Sequence, residues 1–379
     1  MKPKTATTPA TRLIMPIGLI FLLVLSGIIF RYDNYVHHAS SIDEILVPVS
    51  TDSAPVAWNT IGVGMVASNI YNFDAGKKTF DADGWVWLTW SPEIEKHMKA
   101  RAMSAQDLFF FFNGVDDYDF SLVPDSTAPL RFPDGRYYQK YRYSGHFYAH
   151  DLNFRRYPFQ TISLPLALEL KSIDLLGTET PLSVVLDHEH SGVGSYIEIA
   201  GYVKKGFTFS SYLHKYISSQ GEPGLLNGVR SLYQARMEVA YGKAPMATVI
   251  KLLIPLITVM AIILLSTLIP LKGWEVRLAI PPTVILTLIF LQQAYQANLP
   301  DLPYITFLDC LYNMSYLSAL MIFGLYLWGS MEYHISAEED PEKTMVRIQK
   351  VDRQVLLALT IFFPLGTLVN WTAMGLPCH

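Results

Sequence analysis

Ala279, Thr283, Leu286, Phe290, Gln293 and Ala297 follow one another at alternating steps of four and three, just after Glu275. On a helix that spacing places all six on one face. Leu and Phe on such a stripe most often pack against another helix. Thr283 and Gln293 on the same face argue against full burial in core or lipid. Glu275 stands before the stripe, where a carboxylate can stabilise a helix N-terminus or act on ions. Arg277, two residues on, points elsewhere. A second candidate is the run Asp187-His188-Glu189-His190. It could sense protons or hold a divalent cation, although neighbouring acids and histidines in a loop usually bind nothing specific. There is no nucleophile elbow, phosphate loop or HExxH. We therefore expect neither an enzyme nor a cofactor.

The elements that carry these residues are divided sharply. The chain has 379 residues, a net charge of -4 and two cysteines, Cys310 and Cys378. The small net charge offers no footprint for nucleic acid. Residues 1–31, basic and then apolar from Leu13 to Phe30, read as a signal anchor or signal sequence. Residues 32–56 read as a linker, 57–245 as a soluble domain and 246–379 as membrane helices. The apolar runs of the last part are Leu252–Leu271, Leu278–Ala297, Tyr304–Trp328 and Val355–Met374, each about long enough to cross roughly 30 Å of hydrocarbon. No Lys or Arg lies between Arg277 and Lys343. Lys272 and Arg277 fall in the first connection, and Lys343, Arg347, Lys350 and Arg353 in the third. The positive-inside rule places both in the cytoplasm, so the stretch QANLPDLPY faces outside with the soluble domain.

The soluble domain shows short alternating runs at 79–90, 107–113, 137–149, 161–170, 194–203 and 229–242, with a Pro-Asp-Gly turn at 133–135. About ten strands and no long helical period predict one β-sandwich.

LPDLPYITFLD (299–309) is similar to the linker between the second and third membrane helices of pentameric ligand-gated ion channels, the Cys-loop receptor superfamily, commonly LP-x-x-x-Y-x-x-x-x-D. FPDGRYYQKYRYSGHFYAHDLNFRRYPFQ (132–160) resembles the strand pair leading to that family's signature loop, whose core is F-P-F-D. KAPMATVIKLLIP (243–255) resembles the entry to its first membrane helix, with Pro245 and Pro255 at the family's spacing. Trp85 and Trp90 repeat a tryptophan spacing of its second strand, and Phe363-Pro364 is similar to bacterial fourth helices. The resemblance covers about 57–374. The two cysteines that name the family would fall at His150 and Leu164, so the loop is unbridged, as in bacterial members. Gln160 replaces the aspartate, and Lys243 stands where arginine is usual.

The resemblance implies a homopentamer in a bacterial inner membrane, with permeant inorganic cations and an unidentified small molecule or proton as agonist. The stripe would line the axis: Thr283 as a polar ring, Leu286 and Phe290 as an apolar constriction that excludes ions by dewetting, Gln293 as an outer vestibule. Glu275 would be the cation filter. Lys243, Tyr157, Pro158, Phe159, Pro300, Tyr304 and Asp309 would couple sandwich to pore. The prolines restrict the backbone, so Asn298–Tyr304 would act as a stiff lever. An aromatic box for the agonist would draw on Trp85, Trp87, Phe110, Phe112, Tyr212, Tyr216 and Tyr233, around a capping hairpin at 218–228. The family's usual tryptophan after YPFQ is missing. The rival expectations are a non-conducting membrane sensor of the same fold and a membrane-anchored enzyme or binding sandwich.

Overall fold

The structure, a computed structural model, describes residues 44–49, 58–115, 120–150, 152–175, 178–216, 230–297, 299–336 and 341–373. The expected N-terminal anchor, the capping hairpin, Asn298 and Cys378 lie outside them. Two compact units emerge. One comprises the described residues of Ser41–Asn153 and Thr161–Ala244. The other comprises Phe154–Gln160 with the described residues from Pro245 on.

The first unit is a sandwich-like pair of sheets. One sheet runs β1 (Glu44–Pro48), β13 (Val203–Tyr216), β14 (Arg230–Gly242), β8 (Thr161–Leu170), β4 (Phe109–Phe111). The other runs β11 (Ser183–Leu186), β2 (Thr60–Asp74), β3 (Thr79–Trp90), β7 (Tyr137–Tyr148), β5 (Ser121–Pro124). Short strands β6 (Leu130–Arg131) and β12 (Gly192–Tyr196) join the second sheet beside β7 and β2, and β9 (Ser172–Leu175) pairs β10 (Thr178–Pro181). Alternate residues face inward because side chains in a strand have a period of two. Leu164, Leu166 and Leu168 of β8 and Met237 and Val239 of β14 are wholly buried, as are Val86 and Leu88 of β3. Phe109 of β4 meets Tyr141 of β7 edge-on at 5.9 Å, and Phe111 meets Tyr143 at 5.1 Å, which closes the core.

Several expectations need correction. The linker 32–56 contains β1, which pairs antiparallel with β13, with Leu46 opposite His214. The run 194–203 is not one strand: β12 stops at Tyr196, and a turn with Gly201 at φ +82° precedes β13. That positive φ suits glycine and breaks the ladder. A helix, α1 (Pro92–Ala100), follows β3 and was not foreseen. Its signals are local: Ser91 accepts from the Ile94 N–H, Pro92 opens the first turn, and acids precede bases. Gly135, at φ +91°, does form the turn between β6 and β7.

The second unit holds four helices long and apolar enough to cross a membrane: α2 (Pro245–Leu268), α3 (Trp274–Gln296), α4 (Phe307–Ser336) and α5 (Pro341–Ala373). Their order and number are those expected. In α2 a π-turn spans Val249–Leu253, and the Ile254 N–H reaches back five residues to Val249. Pro255 has no N–H to continue the ordinary ladder, so the wider turn absorbs the break. α4 packs against α5, α3 and α2. The part of the third connection that carries Lys343, Arg347, Lys350 and Arg353 is helix, since α5 starts at Pro341. Thr344, Ile348 and Asp352, four apart, are buried, so the polar start of α5 stays helical by covering one face.

Candidate functional site

The site is built from the loop between β7 and β8, the linker between α3 and α4, and the last turns of α3 and α5. All belong to the helical unit. The loop turns twice, with the Tyr157 N–H donating to Phe154 O at 2.8 Å and the Phe159 N–H to Arg156 O at 2.7 Å. These turns leave neighbouring backbone groups for the linker. The Phe154 N–H donates to the Tyr304 hydroxyl oxygen at 2.9 Å, and the Phe307 N–H to Arg155 O at 2.8 Å. The Arg155 guanidinium stands 5.2 Å from the Tyr304 ring. Tyr157, buried beside buried Pro158, stacks on Tyr295 of α3 at 6.3 Å, and Tyr295 continues to Tyr312 of α4 at 5.1 Å. The two ladders, one polar and one aromatic, join loop and linker.

Asp309 knots the other side. Thr306 is the residue before α4, and its N–H and hydroxyl donate to Asp309 Oδ2 at 2.9 and 2.6 Å. The Asp309 N–H returns to the Thr306 hydroxyl at 3.2 Å, completing a reciprocal cap. The Tyr295 hydroxyl donates to Asp309 Oδ1. One carboxylate therefore ties the end of α3 to the start of α4. Pro300 lies in the same linker and is half-buried.

Trp371, near the end of α5, was not anticipated. It meets Phe159 edge-on at 5.9 Å and Phe307 at 5.2 Å, with the Arg156 guanidinium 5.3 Å from its ring. Its position in a long apolar run gave no signal, because only folding brings 371 to 159. Gln160 is 4% exposed, and among the described residues neither its Oε1 nor its Nε2 has a hydrogen-bond partner. Lys243 belongs to the other unit, just beyond β14, with its ammonium 5.7 Å from the Tyr202 ring. Burial pulls its pKa below the ordinary lysine value.

The α3 stripe is as expected in phase. Ala279, Thr283, Leu286, Phe290, Gln293 and Ala297 are all exposed, Leu286 at 54% and Phe290 at 61%. Arg277, Pro281, Val284, Leu288 and Tyr295 form the buried face. The helices of one chain thus leave an apolar row with polar ends uncovered. The Thr283 hydroxyl donates back to Ala279 O at 3.0 Å. Glu275 is exposed in the first turn, and Arg277 does turn away from it.

The aromatic set separates. Phe112 meets His214 edge-on at 4.9 Å, and His214 lies 4.1 Å from Tyr216. Both surround Glu169, wholly buried, which accepts from the Tyr216 hydroxyl at 2.5 Å and from Gln234 Nε2 at 3.3 Å, and bonds His214 Nδ1 at 2.8 Å. Phe110 stands opposite Glu169 in the β4–β8 register and is 37% exposed. Tyr212 is on the His214 side of β13, and Tyr233 is on the other face of β14 from Gln234, as period two requires. Trp85 and Trp87 belong to the second sheet. Lys140 covers the Trp85 ring at 4.0 Å, and Trp87 lies across Gly64, where any Cβ would collide with its ring. Glu169 and His214, buried on β-strands, were missed because neither spacing nor motif marks them.

Trp87 Nε1 donates to Asp187 at 3.1 Å, and Asp187 also bonds His190 Nδ1 at 3.0 Å. That hydrogen bond raises the His190 pKa. Partial burial opposes ionisation of Asp187, but its bonds from His190 and Trp87 outweigh this and lower its pKa. His188 instead sits edge-on to Phe209 at 5.9 Å, and Glu189 is exposed. Among the described residues no three His, Cys, Asp or Glu side chains converge on a metal position. Asp187 is engaged within the protein by Trp87 and His190.

No protein-family model matches this chain, and no curated protein matches it either.

Proposed function

We propose that the protein is a homopentameric, cation-conducting channel of the pentameric ligand-gated type, opened by a signal received at its β-sandwich. The observation that carries this reading is the knot of Phe154, Arg155 and Tyr157 with Tyr304, Phe307 and Tyr295. A loop between two sandwich strands is there bonded to the end of the helix whose opposite face is uncovered. A displacement of β7 and β8 would reach α3 through hydrogen bonds and stacked rings. Five copies of α3 with the exposed stripe inward would enclose a water path that one copy cannot. Leu286 and Phe290 would close it by dewetting, and Glu275 would favour cations at the inner mouth. The basic connections argue for a cytoplasmic inner mouth and an exported sandwich. The reading agrees with the resemblance of LPDLPYITFLD and YPFQ to that family.

The experiment is mass determination in mild detergent combined with voltage-clamped bilayer recording during a ligand and pH screen. Five subunits and a gated current are expected. A monomer or dimer as the sole stable species would sink the channel. A pentamer silent under every condition would leave the non-conducting sensor.

A further inference from the structure

Arg277 is buried in α3, 4% exposed, and donates from Nη2 to Asp352 of α5 at 2.6 Å. Asp352 is itself 6% exposed. The guanidinium also lies 4.3 Å from the Tyr326 ring of α4, and the Tyr326 hydroxyl shares a 2.6 Å hydrogen bond with Ser266 in the last turn of α2. One side chain of α3 thus touches two other helices at the end where Glu275 stands.

Two features make that tie necessary. Pro281 and Pro282 lie inside α3 and have no N–H to donate to the carbonyls of Arg277 and Leu278. The first two turns are therefore joined to the rest of the helix by fewer hydrogen bonds than an ordinary segment. Packing around them is incomplete as well: a small cavity lies there, lined by Trp274, Arg277, Tyr326, Gly329, Ser330 and Asp352. A segment with a weakened ladder and space beside it needs a directional contact to keep its rotation. A buried ion pair supplies direction more than stability, since an apolar pair of similar volume is often as stable.

We propose that the Arg277–Asp352 pair is a positioning clamp that sets the rotation of the first two turns of α3 and so keeps Glu275 on the exposed stripe; its effect on ion choice rests on the channel reading above. The pair makes α5 a determinant of the inner mouth, although no residue of α5 lies on the stripe. It also accounts for the tolerated proline pair: the segment below the prolines is held from outside the helix.

Hydrogen exchange of the full-length protein in mild detergent reads the clamp without any current. The reporters are the amides of Leu278, Ala279 and Ile280. We expect R277M/D352L to fold, yet to exchange at these three amides about tenfold faster than the parent, with α4 unchanged. The charge swap R277D/D352R should return them toward the parent. Asp352→Asn, which keeps shape and loses charge, should give an intermediate rate and serves if the double variants do not fold. Parent-like exchange in R277M/D352L or in Asp352→Asn would overturn the clamp, as would a swap that fails to restore protection. Reversal potentials in a salt gradient then connect it to function. The loosened variants should shift in the same direction as Glu275→Gln. Loosened amides with an unshifted potential would overturn the link to Glu275. A parent without current would refute the channel reading, leaving exchange alone to decide the clamp.

Discussion

At Gln160 a polar amide sits buried where no described residue satisfies it. An unsatisfied buried polar group costs about 1–3 kcal/mol. Gln160→Leu should therefore be neutral or stabilising by about 1 kcal/mol in thermal unfolding. A loss of more than that would mean that assembly supplies the amide with partners. The Asp187–His190 pair makes a pH-dependent prediction. His190 has its pKa raised above the ordinary 6.5, so the pair's contribution is complete below that value and fades as pH rises through the higher folded value. Asp187 has a lowered pKa, so the contribution also fades at the acid end, as pH falls through that lower value. NMR titration should find His190 above 6.5, returning toward it in Asp187→Asn. An unchanged midpoint in that variant would show that the two side chains do not pair in solution.

Between helices, one residue does two jobs. Asp309 completes the cap of α4 with Thr306 and accepts from Tyr295 of α3. Thr306→Ala removes a cap and should cost about 1 kcal/mol. Asp309→Ala also removes the carboxylate that accepts from buried Tyr295 and should cost about 2–4 kcal/mol by thermal unfolding. Equal losses would mean that the bond to Tyr295 contributes nothing. The α3 stripe gives a functional counterpart. On the proposed channel reading, Leu286→Ser should hydrate the constriction and favour conduction at lower stimulus or with none. If Leu286→Ser behaves as the parent while a change at buried Leu288 opens the pore, the stripe has been assigned to the wrong face.

For the proposed pentameric channel the decisive quantity is ion choice. Five Glu275 carboxylates around one axis would reinforce one another. Glu275→Gln should reduce cation-over-anion selectivity more than it alters assembly, and Glu275→Lys should admit anions because the ring changes sign. Higher salt should shrink the difference, since mobile ions screen charge over about 8–10 Å near physiological strength. Reversal potentials under a salt gradient measure this. Three identical values would remove Glu275 from the filter.

The sequence by itself determined what depends on local pattern. Four helices follow from apolar length, the strands of β3, β7, β8 and β14 from alternation, and the shared face of Ala279 to Ala297 from steps of four and three. Arg277 was already turned from Glu275 by helical geometry. Short-range signals at Ser91 and Thr306 were present too, but a cap three residues long is easily overlooked beside a hydrophobic run. Only the tertiary structure decided which distant residues meet. Trp371 reaches Phe159 and Arg156, Asp352 reaches Arg277, and Glu169 gathers His214, Tyr216 and Gln234 from neighbouring strands. Nothing in local spacing marks such pairs, because they are selected by packing across the fold: a buried charge or aromatic ring is stable only where another element supplies its partner.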